Sequence, residues 1–491
     1  MQRGWTRSRH WPVSNAINTN NARPGSGLRL CVAAIALALG GCTLFQPEQR
    51  AQRPIEMPQA WQQQSPSSAS QSAAMNAAAM PEARWWTAFN DAQLDTLIDS
   101  ALRTNNDLAA AGIRVQRAQL QAGLANTNLA PGVTGQVQAN RTFDLKRGGT
   151  VISASTSQVT LNYELDLWGR LSALRSSADW ELKATESDRQ AAALALVGTT
   201  AELYWKTGYL NQRIALSEAG IEDGRRILAL VRVKYAAGAV SGLDVAQAGQ
   251  NLASQEAAHT QLLQQRVEAR NALAILFDRP PEAMAAEPAQ LPTADLPTID
   301  AGLPASLLAR RPDLRAAEQR LRRSLADVDA TRTGFYPTLS LTGSLGTSSN
   351  ALGQLLRNPV GTLGAGLALP FLQWNTARLT VAVSQAQYEE AVQGFRQSLY
   401  TSLSEVENAL SSRTQLRDES EKLVLALQQA QRAEKLSEVR YRAGATALQP
   451  VLDAKDRRRG AEVSLAQNRM NQLNATMTLY KALGGGAVVT Q

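Results

Sequence analysis

Two copies of one arrangement of landmark residues occupy most of this chain, and a constant offset of 206 positions relates them. The offset matches residues of several types: Asp107 with Asp313, Pro131 with Pro337, Trp168 with Trp374, Tyr235 with Tyr441 and Gly238 with Gly444. One offset held over more than a hundred positions indicates a duplicated segment. Because solenoid repeats are only about 20 to 50 residues long, the sequence predicts a fold of two similar halves.

Each copy contains two segments in which apolar residues alternate with other residues. They cover residues 132–143 and 158–168 in the first copy and 338–346 and 360–371 in the second. A period of two predicts β-strands, and a membrane-spanning strand takes about 9 to 11 residues. A soluble sandwich is the commoner source of such alternation, but the sequence shows no further strands for a second sheet. Four membrane strands are too few for a barrel of at least about eight, so several chains must share one barrel.

A helical hairpin is predicted after each strand pair, over residues 170–277 and 376–483. In the first arm, apolar residues recur at steps of three and four, a period typical of left-handed supercoiling, with interruptions at Ser217 and Gly224. An arm of about 65 residues extends for roughly 100 Å. The predicted fold class is therefore mainly α with a small transmembrane β part.

The N-terminal segment has the pattern of an export signal. Arginine-bearing residues precede an apolar run from Leu30 to Leu39, and small residues then lead to Cys42. This pattern predicts a signal peptide over residues 1–41. It resembles a bacterial lipoprotein signal, in which Cys42 becomes the lipidated first residue and Thr43, in place of an aspartate, gives the outer-membrane address. The alternative is an ordinary signal followed by a structural cysteine, which is weakened because Cys31 lies in the removed part.

The rest of the chain divides by composition. Residues 42–84 are rich in Gln, Ser, Ala and Pro and predict a lipidated tether that orders only against the folded body. The first structural repeat covers 85–277, a proline-rich linker covers 278–304, and the second repeat covers 305–484. Residues 485–491 form a C-terminal tail.

Charge and histidine usage exclude several classes of function. The formal net charge is +8, but residues 1–41 hold five arginines and no acid, so the remainder carries +3. The high isoelectric point therefore gives no argument for nucleic-acid binding. His259 is the only histidine outside the signal, which leaves nothing for a Ser-His-Asp triad or a multi-histidine zinc site. The glycines at 364 and 366 lie in strand-like alternation and do not predict a phosphate loop. We expect no enzymatic activity, no metal and no cofactor beyond the covalent lipid.

Four motifs, in this order along the duplicated frame, resemble the outer-membrane efflux duct family (the TolC/OprM-like outer membrane factors) and its NodT-type lipoprotein branch. The motifs are Tyr163 to Arg170 (YELDLWGR), Leu307 to Glu318 (LLARRPDLRAAE), Phe335 to Pro337 (FYP) and Leu479 to Gly486 (LYKALGGG). The resemblance covers nearly the whole mature chain. One departure lies at Gln373 to Arg378, where the family repeats an Asp/Gly-Arg turn, so a local difference is expected there.

The resemblance implies an assembly and its partners. A homotrimer would form a 12-stranded barrel in the outer membrane and a second, helical barrel across the periplasm. Such ducts passively carry drugs or other small toxic compounds that reach them from an inner-membrane pump, here expected to be of the RND type, through a periplasmic adaptor (membrane fusion) protein. The expected location is the outer membrane, with a lipid anchor and a periplasmic extension.

The resemblance also implies contacts at the two hairpin tips. The residues that match the family's adaptor-contacting tips are Tyr235, Gly238, Ser241, Tyr441 and Gly444. A simpler interpretation is that Gly238 and Gly444 only supply the positive φ that a helix end requires.

The expected gate lies just after the second tip. Asp453, within Val-Leu-Asp-Ala, matches the family's constriction, where three copies meet around one axis. Like charges repel, so closure needs hydrogen bonds, cations or protonation. Gln449 stands where the family often has a bulky apolar residue, which puts the apolar part of the seal in question. The alternative is an ordinary carboxylate near a helix start, favoured by the helix dipole.

Two competing functions remain open from the sequence. A lipid-anchored structural coiled-coil protein of the envelope would use the helices but leave the four strands unexplained. An exported enzyme is opposed by the missing catalytic constellations and by the repeat.

Overall fold

The computed structural model describes residues 55–62, 84–146, 148–281, 287–299, 301–302, 304–349 and 359–485. The chain divides into two units, residues 1–50 and 51–491, and every described residue belongs to the second. The predicted signal peptide, Cys42 and most of the predicted tether lie outside the described residues.

Each half contributes helices, two strands and a long helical hairpin. The elements of the first half are α1 Ala92–Thr104, α2 Asn106–Thr127, β1 Gly132–Asp144, β2 Gly149–Leu165, α3 Arg170–Ala236 and α4 Gly242–Ile275. Those of the second half are α5 Leu307–Arg310, α6 Pro312–Thr333, β3 Thr338–Ser349, β4 Pro359–Ala368, α7 Trp374–Arg442 and α8 Gln449–Ala482. Because α2 and α6 begin and end 206 positions apart, as do the starts of β1 and β3, the structure confirms the duplication.

The four strands form one antiparallel sheet in the order β1-β2-β3-β4. The second strand was predicted over residues 158–168, and this prediction was wrong at both ends. It begins at Gly149 because β1 and β2 pair as a hairpin as far as Asp144 opposite Gly149. It ends at Leu165 because the Asp166 side chain accepts hydrogen bonds from the backbone N–H groups of Leu171 and Ser172, at 2.9 and 2.8 Å, and caps α3.

The predicted bounds of the other strands also need small corrections. The third strand extends to Ser349, beyond the predicted 338–346, because its pairing with β2 continues that far. The fourth strand was predicted to end at residue 371 and ends at Ala368, because Pro370 begins a 3-10 turn. This turn leads into α7, and no side chain caps the start of that helix. At the first junction, by contrast, α3 follows Gly169, whose φ is 75°, and Asp166 caps the helix. The two strand-to-helix junctions therefore differ, as the departure at this point predicts.

Among the residues whose burial is described, the sheet forms no apolar core cluster of its own. Apolar side chains on its strands are largely exposed, with exposed fractions of 76% for Val137, 65% for Leu345 and 93% for Leu363. Its outer strands, β1 and β4, pair on one side only among the described residues. Such a sheet leaves apolar faces and backbone hydrogen-bonding groups without partners, and both features call for further molecules around it.

The helices hold the core. In α3, which has 67 residues, the buried Leu210, Ile214, Ile221 and Val231 lie at steps of four, seven and ten, as the supercoil prediction requires. Gly224 interrupts the repeat because the Leu252 side chain of α4 lies 3.3 Å from the position of a Cβ atom there. No described helix combines the length and apolar character that a membrane crossing needs.

The main core surrounds the aromatic start of the first half. Trp85, Trp86 and Phe89 are buried, and they pack with Trp205 of α3 and Tyr480 of α8. The core therefore joins residues from both ends of the duplicated chain.

One described stretch of the proline-rich linker, residues 287–299, crosses the hairpins. Asn211 Nδ2 of α3 donates to the Pro288 carbonyl at 3.0 Å, and Arg469 Nε of α8 donates to the Pro292 carbonyl at 2.9 Å. Arg413 Nη2 of α7 donates to the Pro297 carbonyl. The linker is therefore a strap fixed to three long helices.

Candidate functional site

The two hairpin tips have the same backbone geometry. Gly238 and Gly444 have φ values of 70° and 73°, the left-handed conformation that glycine adopts without strain. At each tip the N–H of the residue after the glycine donates to a carbonyl at the end of the long helix, Ala239 to Lys234 at 2.8 Å and Ala445 to Arg440 at 2.9 Å. This hydrogen bond completes a Schellman-type helix end. No described atom lies within 4 Å of a Cβ built on either glycine, so both tips present open surface.

Ser241 has a structural role at the first tip. The Asp244 backbone N–H donates to Ser241 Oγ at 3.4 Å, and the Ser241 backbone N–H donates to Asp244 Oδ2 at 2.9 Å, which forms a capping box. The hydrogen bonds from Ser241 lower the pKa of Asp244. The first tip is therefore fixed by side chains, whereas α8 begins at the second tip without a side-chain cap.

The two tip tyrosines, which occupy matching positions, have different surroundings. Tyr235 is 54% exposed. Tyr441 is half-buried, and the ammonium group of Lys234 lies 4.1 Å from the centre of its ring. This cation–π contact joins the end of α3 to the end of α7. Tyr235 is thus free to meet another molecule, while Tyr441 helps to hold the two tips together.

The start of α8 rests on the first hairpin through a small apolar cluster that sequence reasoning missed. Leu448, the residue just before α8, and Leu452 of α8 are buried against Val231 of α3 and Ala248 of α4. Leucines four residues apart were the only signal for it in the sequence. This cluster fixes the segment that carries the predicted gate residues.

The structure brings Gln449 and Asp453 together. Gln449 Nε2 donates to Asp453 Oδ1 at 2.7 Å, across one turn of α8. Gln449 is exposed and Asp453 is half-buried. At 100° per residue, this pair lies about 100° around the helix from the buried pair Leu448 and Leu452. The amide therefore supplies a hydrogen bond to the carboxylate at the position where an apolar residue was expected.

A buried lysine next to the gate residues was also missed. Lys455 of α8 is 5% exposed, and its Nζ lies 2.8 Å from Asp223 Oδ2 of α3. On α7, the carboxylates of Glu434 and Glu438 lie 3.0 and 2.6 Å from the same nitrogen. Burial alone would lower the pKa of Lys455, but these hydrogen bonds outweigh it and raise the pKa. One cation thus joins three long helices two residues after Asp453.

The glutamate spacing was the available signal for this cluster. Glu434 and Glu438 are one helical turn apart on α7, which places both carboxylates on one face. The sequence alone did not show which cation of another helix faces them, because helix register between distant segments is set by packing.

Two relatives are similar in sequence to this chain over nearly their whole length. The pyoverdine export outer membrane protein OpmQ of Pseudomonas putida is 32% identical over 467 residues, which cover 93% of this chain and 97% of that protein. The outer membrane protein OprJ of Pseudomonas aeruginosa is 31% identical over 92% of this chain and 94% of that protein.

A solved channel has the same architecture. The open state of the Neisseria gonorrhoeae MtrE outer membrane channel superposes with a TM-score of 0.76 at 28% identity, and the match covers 90% of this chain and 98% of that one. The profile of the family described as outer membrane efflux protein matches residues 97–277 and 303–485, which cover most of both structural halves. The resemblance drawn from the motifs is confirmed: this protein belongs to the outer membrane efflux protein family.

Proposed function

We propose that three copies of this chain form the outer-membrane conduit of a tripartite efflux system. The open four-stranded sheet is the observation that supports the proposal. Its apolar side chains are exposed, and among the described residues its two outer strands pair with a neighbour on one side only. Both features fit a membrane barrel that closes only with further copies. The family resemblance favours three copies and twelve strands. The long hairpins then continue the conduit into the periplasm.

The conduit would be passive and would receive its cargo from other proteins. We expect drugs or other small toxic compounds to arrive from an inner-membrane pump of the RND type through a periplasmic adaptor. The relative OpmQ is named for pyoverdine export, which supports small exported molecules as the cargo class. The open surface at Gly238 and Gly444 and the exposed Tyr235 support the tips as the adaptor contact.

Membrane fractionation tests this proposal. The protein should sediment with outer-membrane markers and run on unheated denaturing gels as a band that shifts to the single-chain position on boiling. A lipid-anchored coiled-coil protein without a barrel would show no heat-dependent shift, and that result would contradict the proposed conduit.

We also propose that Cys42 carries the covalent lipid and that residues 1–41 are removed. The proposal rests on the apolar run that leads into Leu39-Gly40-Gly41-Cys42. Mass spectrometry of the purified N-terminus should find an acylated cysteine as the first residue. An unmodified Cys42, or a chain that retains Arg29, would contradict it. Since the barrel itself holds the protein in the membrane, Cys42→Ser should be mislocalised only in part.

Asp453 is proposed as the periplasmic gate, with Gln449 as its hydrogen-bonding partner. In a three-fold assembly, three such carboxylates around the axis would repel one another and would bind divalent cations. Asp453→Ala should therefore raise the single-channel conductance in planar bilayers and weaken block by divalent cations from the periplasmic side. Unchanged conductance and unchanged block would leave Asp453 as an ordinary residue of the second turn of α8.

A further inference from the structure

A cavity of about 580 Å³ lies between the strap and the second hairpin. Strap residues between positions 295 and 299 line it together with residues of α7 and α8. Its volume falls in the range of about 300 to 1,000 Å³ that small-molecule sites occupy. Neither the tips nor the proposed gate contributes a residue to its described lining. The cavity is therefore a site for which the conduit gives no explanation.

Three arginines line this cavity. Arg413 and Arg417 lie about one turn apart on α7, which places them on the same face, and Arg469 belongs to α8. Asp295 of the strap is the one acidic residue among the ten described residues of the lining. The described lining therefore carries a formal charge of +2, which favours a ligand with two negative charges.

Two of these arginines are held by neutral acceptors. Arg413 Nη2 donates to the Pro297 carbonyl. Arg469 Nε donates to the Pro292 carbonyl at 2.9 Å, and Arg469 Nη2 donates to the Ala294 carbonyl. A guanidinium has five N–H donors, and a carbonyl acceptor brings no negative charge to it. The strap thus positions the two guanidinium groups without neutralising them.

A third buried arginine shows what neutralisation looks like in this chain. Arg311, just before α6, lies 2.7 Å from Asp313 Oδ2 and 2.7 Å from Glu405 Oε2. Burial alone would lower the pKa of Arg311, but these carboxylates outweigh it and raise the pKa. For Arg413 and Arg469, burial prevails and their pKa values are lowered. A bound anion would supply the compensation that these two charges lack.

Part of the lining is apolar. Leu296 and Ile299 of the strap and Leu410 of α7 are half-buried and line the same cavity as the arginines. An inorganic anion would leave this apolar surface in contact with water, whereas the body of an organic anion would cover it. The combination of charged and apolar lining therefore favours an organic ligand.

We propose that this cavity binds a small organic dianion, which carries two carboxylate or phosphate groups on an apolar body. Its anionic groups would meet Arg413, Arg417 and Arg469, because a guanidinium pairs with a carboxylate or a phosphate through two parallel hydrogen bonds. Its apolar body would contact Leu296 and Ile299. Such a ligand would join the strap to α7 and α8, and the inference does not depend on how many copies assemble or on what the conduit carries.

Isothermal titration calorimetry of the full-length protein in a nonionic detergent tests this site with phthalate, an aromatic dicarboxylate. Phthalate should bind at one site per chain, and its neutral analogue phthalamide should not bind. Inorganic phosphate, which has the charge without the apolar body, should bind at least about tenfold more weakly than phthalate. An absence of phthalate binding, or equal affinities for phosphate and phthalate, would overturn the proposal.

Two substitutions in the lining test where phthalate binds. Arg417 is exposed, and its described ion pair is with Asp418 and not with the strap, so Arg417→Gln should keep the strap in place and weaken binding about fivefold. Asp295→Asn removes the one acid of the described lining and should tighten binding about threefold. A purely structural role of these residues would not produce this pair of opposite changes.

Arg432→Gln is the matched control for Arg417→Gln. Arg432 is also an exposed arginine of α7, but it lies roughly 22 Å further along the helix. This variant should bind phthalate as tightly as the wild type. Equal affinities of the Arg417→Gln and Arg432→Gln variants would place the binding outside the cavity and overturn the proposal, as would an Asp295→Asn variant that binds no more tightly than the wild type.

Discussion

Lys455→Met is expected to lower the free energy of unfolding by about 3 kcal/mol. Breaking a buried ion pair by removing one partner costs about 3 to 5 kcal/mol, and the lower end applies because the acids are partly exposed, with 28% of the Asp223 side chain and 30% of the Glu438 side chain accessible. The substitution leaves carboxylates from α3 and α7 facing an apolar side chain. Thermal unfolding followed by circular dichroism measures the effect.

A neighbouring cation on α8 provides the control. Arg457 is exposed, and Arg457→Met should change stability by less than about 0.5 kcal/mol. If Lys455→Met were as stable as Arg457→Met, the lysine would not be what holds α8 to the other two helices.

The pH dependence of this difference follows from the raised pKa of Lys455. A lysine whose pKa is higher in the folded state stabilises the fold fully below its unfolded pKa, and this stabilisation is lost as the pH rises through the folded value. The stability gap between the wild type and Lys455→Met should therefore stay constant between about pH 6 and 9 and shrink only above about pH 10.4, the ordinary lysine pKa. A gap that closes near neutral pH would contradict the assigned role.

Gly444→Trp is expected to abolish efflux while assemblies of several copies still form. The tip has open space for the side chain, so the fold should tolerate it at the cost of positive-φ strain, on the order of 1 to 2 kcal/mol. The bulky ring would stand where the adaptor is proposed to dock. Drug susceptibility of cells that depend on this conduit, together with unheated gels, measures both quantities.

Two controls separate bulk at the tip from backbone strain. Gly444→Asn keeps a residue that tolerates the left-handed conformation with little added bulk, and it should retain efflux. Gly148→Trp adds the same ring at another glycine with positive φ (65°) and open space around it, but in the β1–β2 turn and not at a hairpin tip. This variant should also retain efflux. Normal efflux by Gly444→Trp would remove the adaptor contact from this tip.

The sequence predicted those features that a local pattern or the repeat encodes. The offset of 206 located both halves, and the alternating residues located all four strands because period two is a local signal. The start of β2 was missed because residues 149–157 are mostly small or polar and pair through the backbone, which leaves little apolar pattern. Gly238 and Gly444 were expected at helix ends for the positive φ that they have.

The surroundings of the predicted gate needed the structure. Asp453 could be found from its motif, but the contacts that fix α8 depend on how distant helices align. Lys455 meets acids 17 and 21 residues earlier on α7 and another on α3, more than 200 positions away, and no local spacing records that alignment. The different surroundings of Tyr235 and Tyr441 arise in the same way. The repeat predicts the two residues to be equivalent, but Tyr441 contacts Lys234 and packs against the cluster around Val231.

The number of chains in one purified particle tests the proposed conduit most directly. Each chain contributes one four-stranded sheet whose outer strands pair on one side only among the described residues, so barrel closure depends on how many chains meet. Native mass spectrometry of the detergent-solubilised protein should give a mass of three lipidated chains. A particle of one chain, or of any number of chains other than three, would contradict the twelve-stranded conduit.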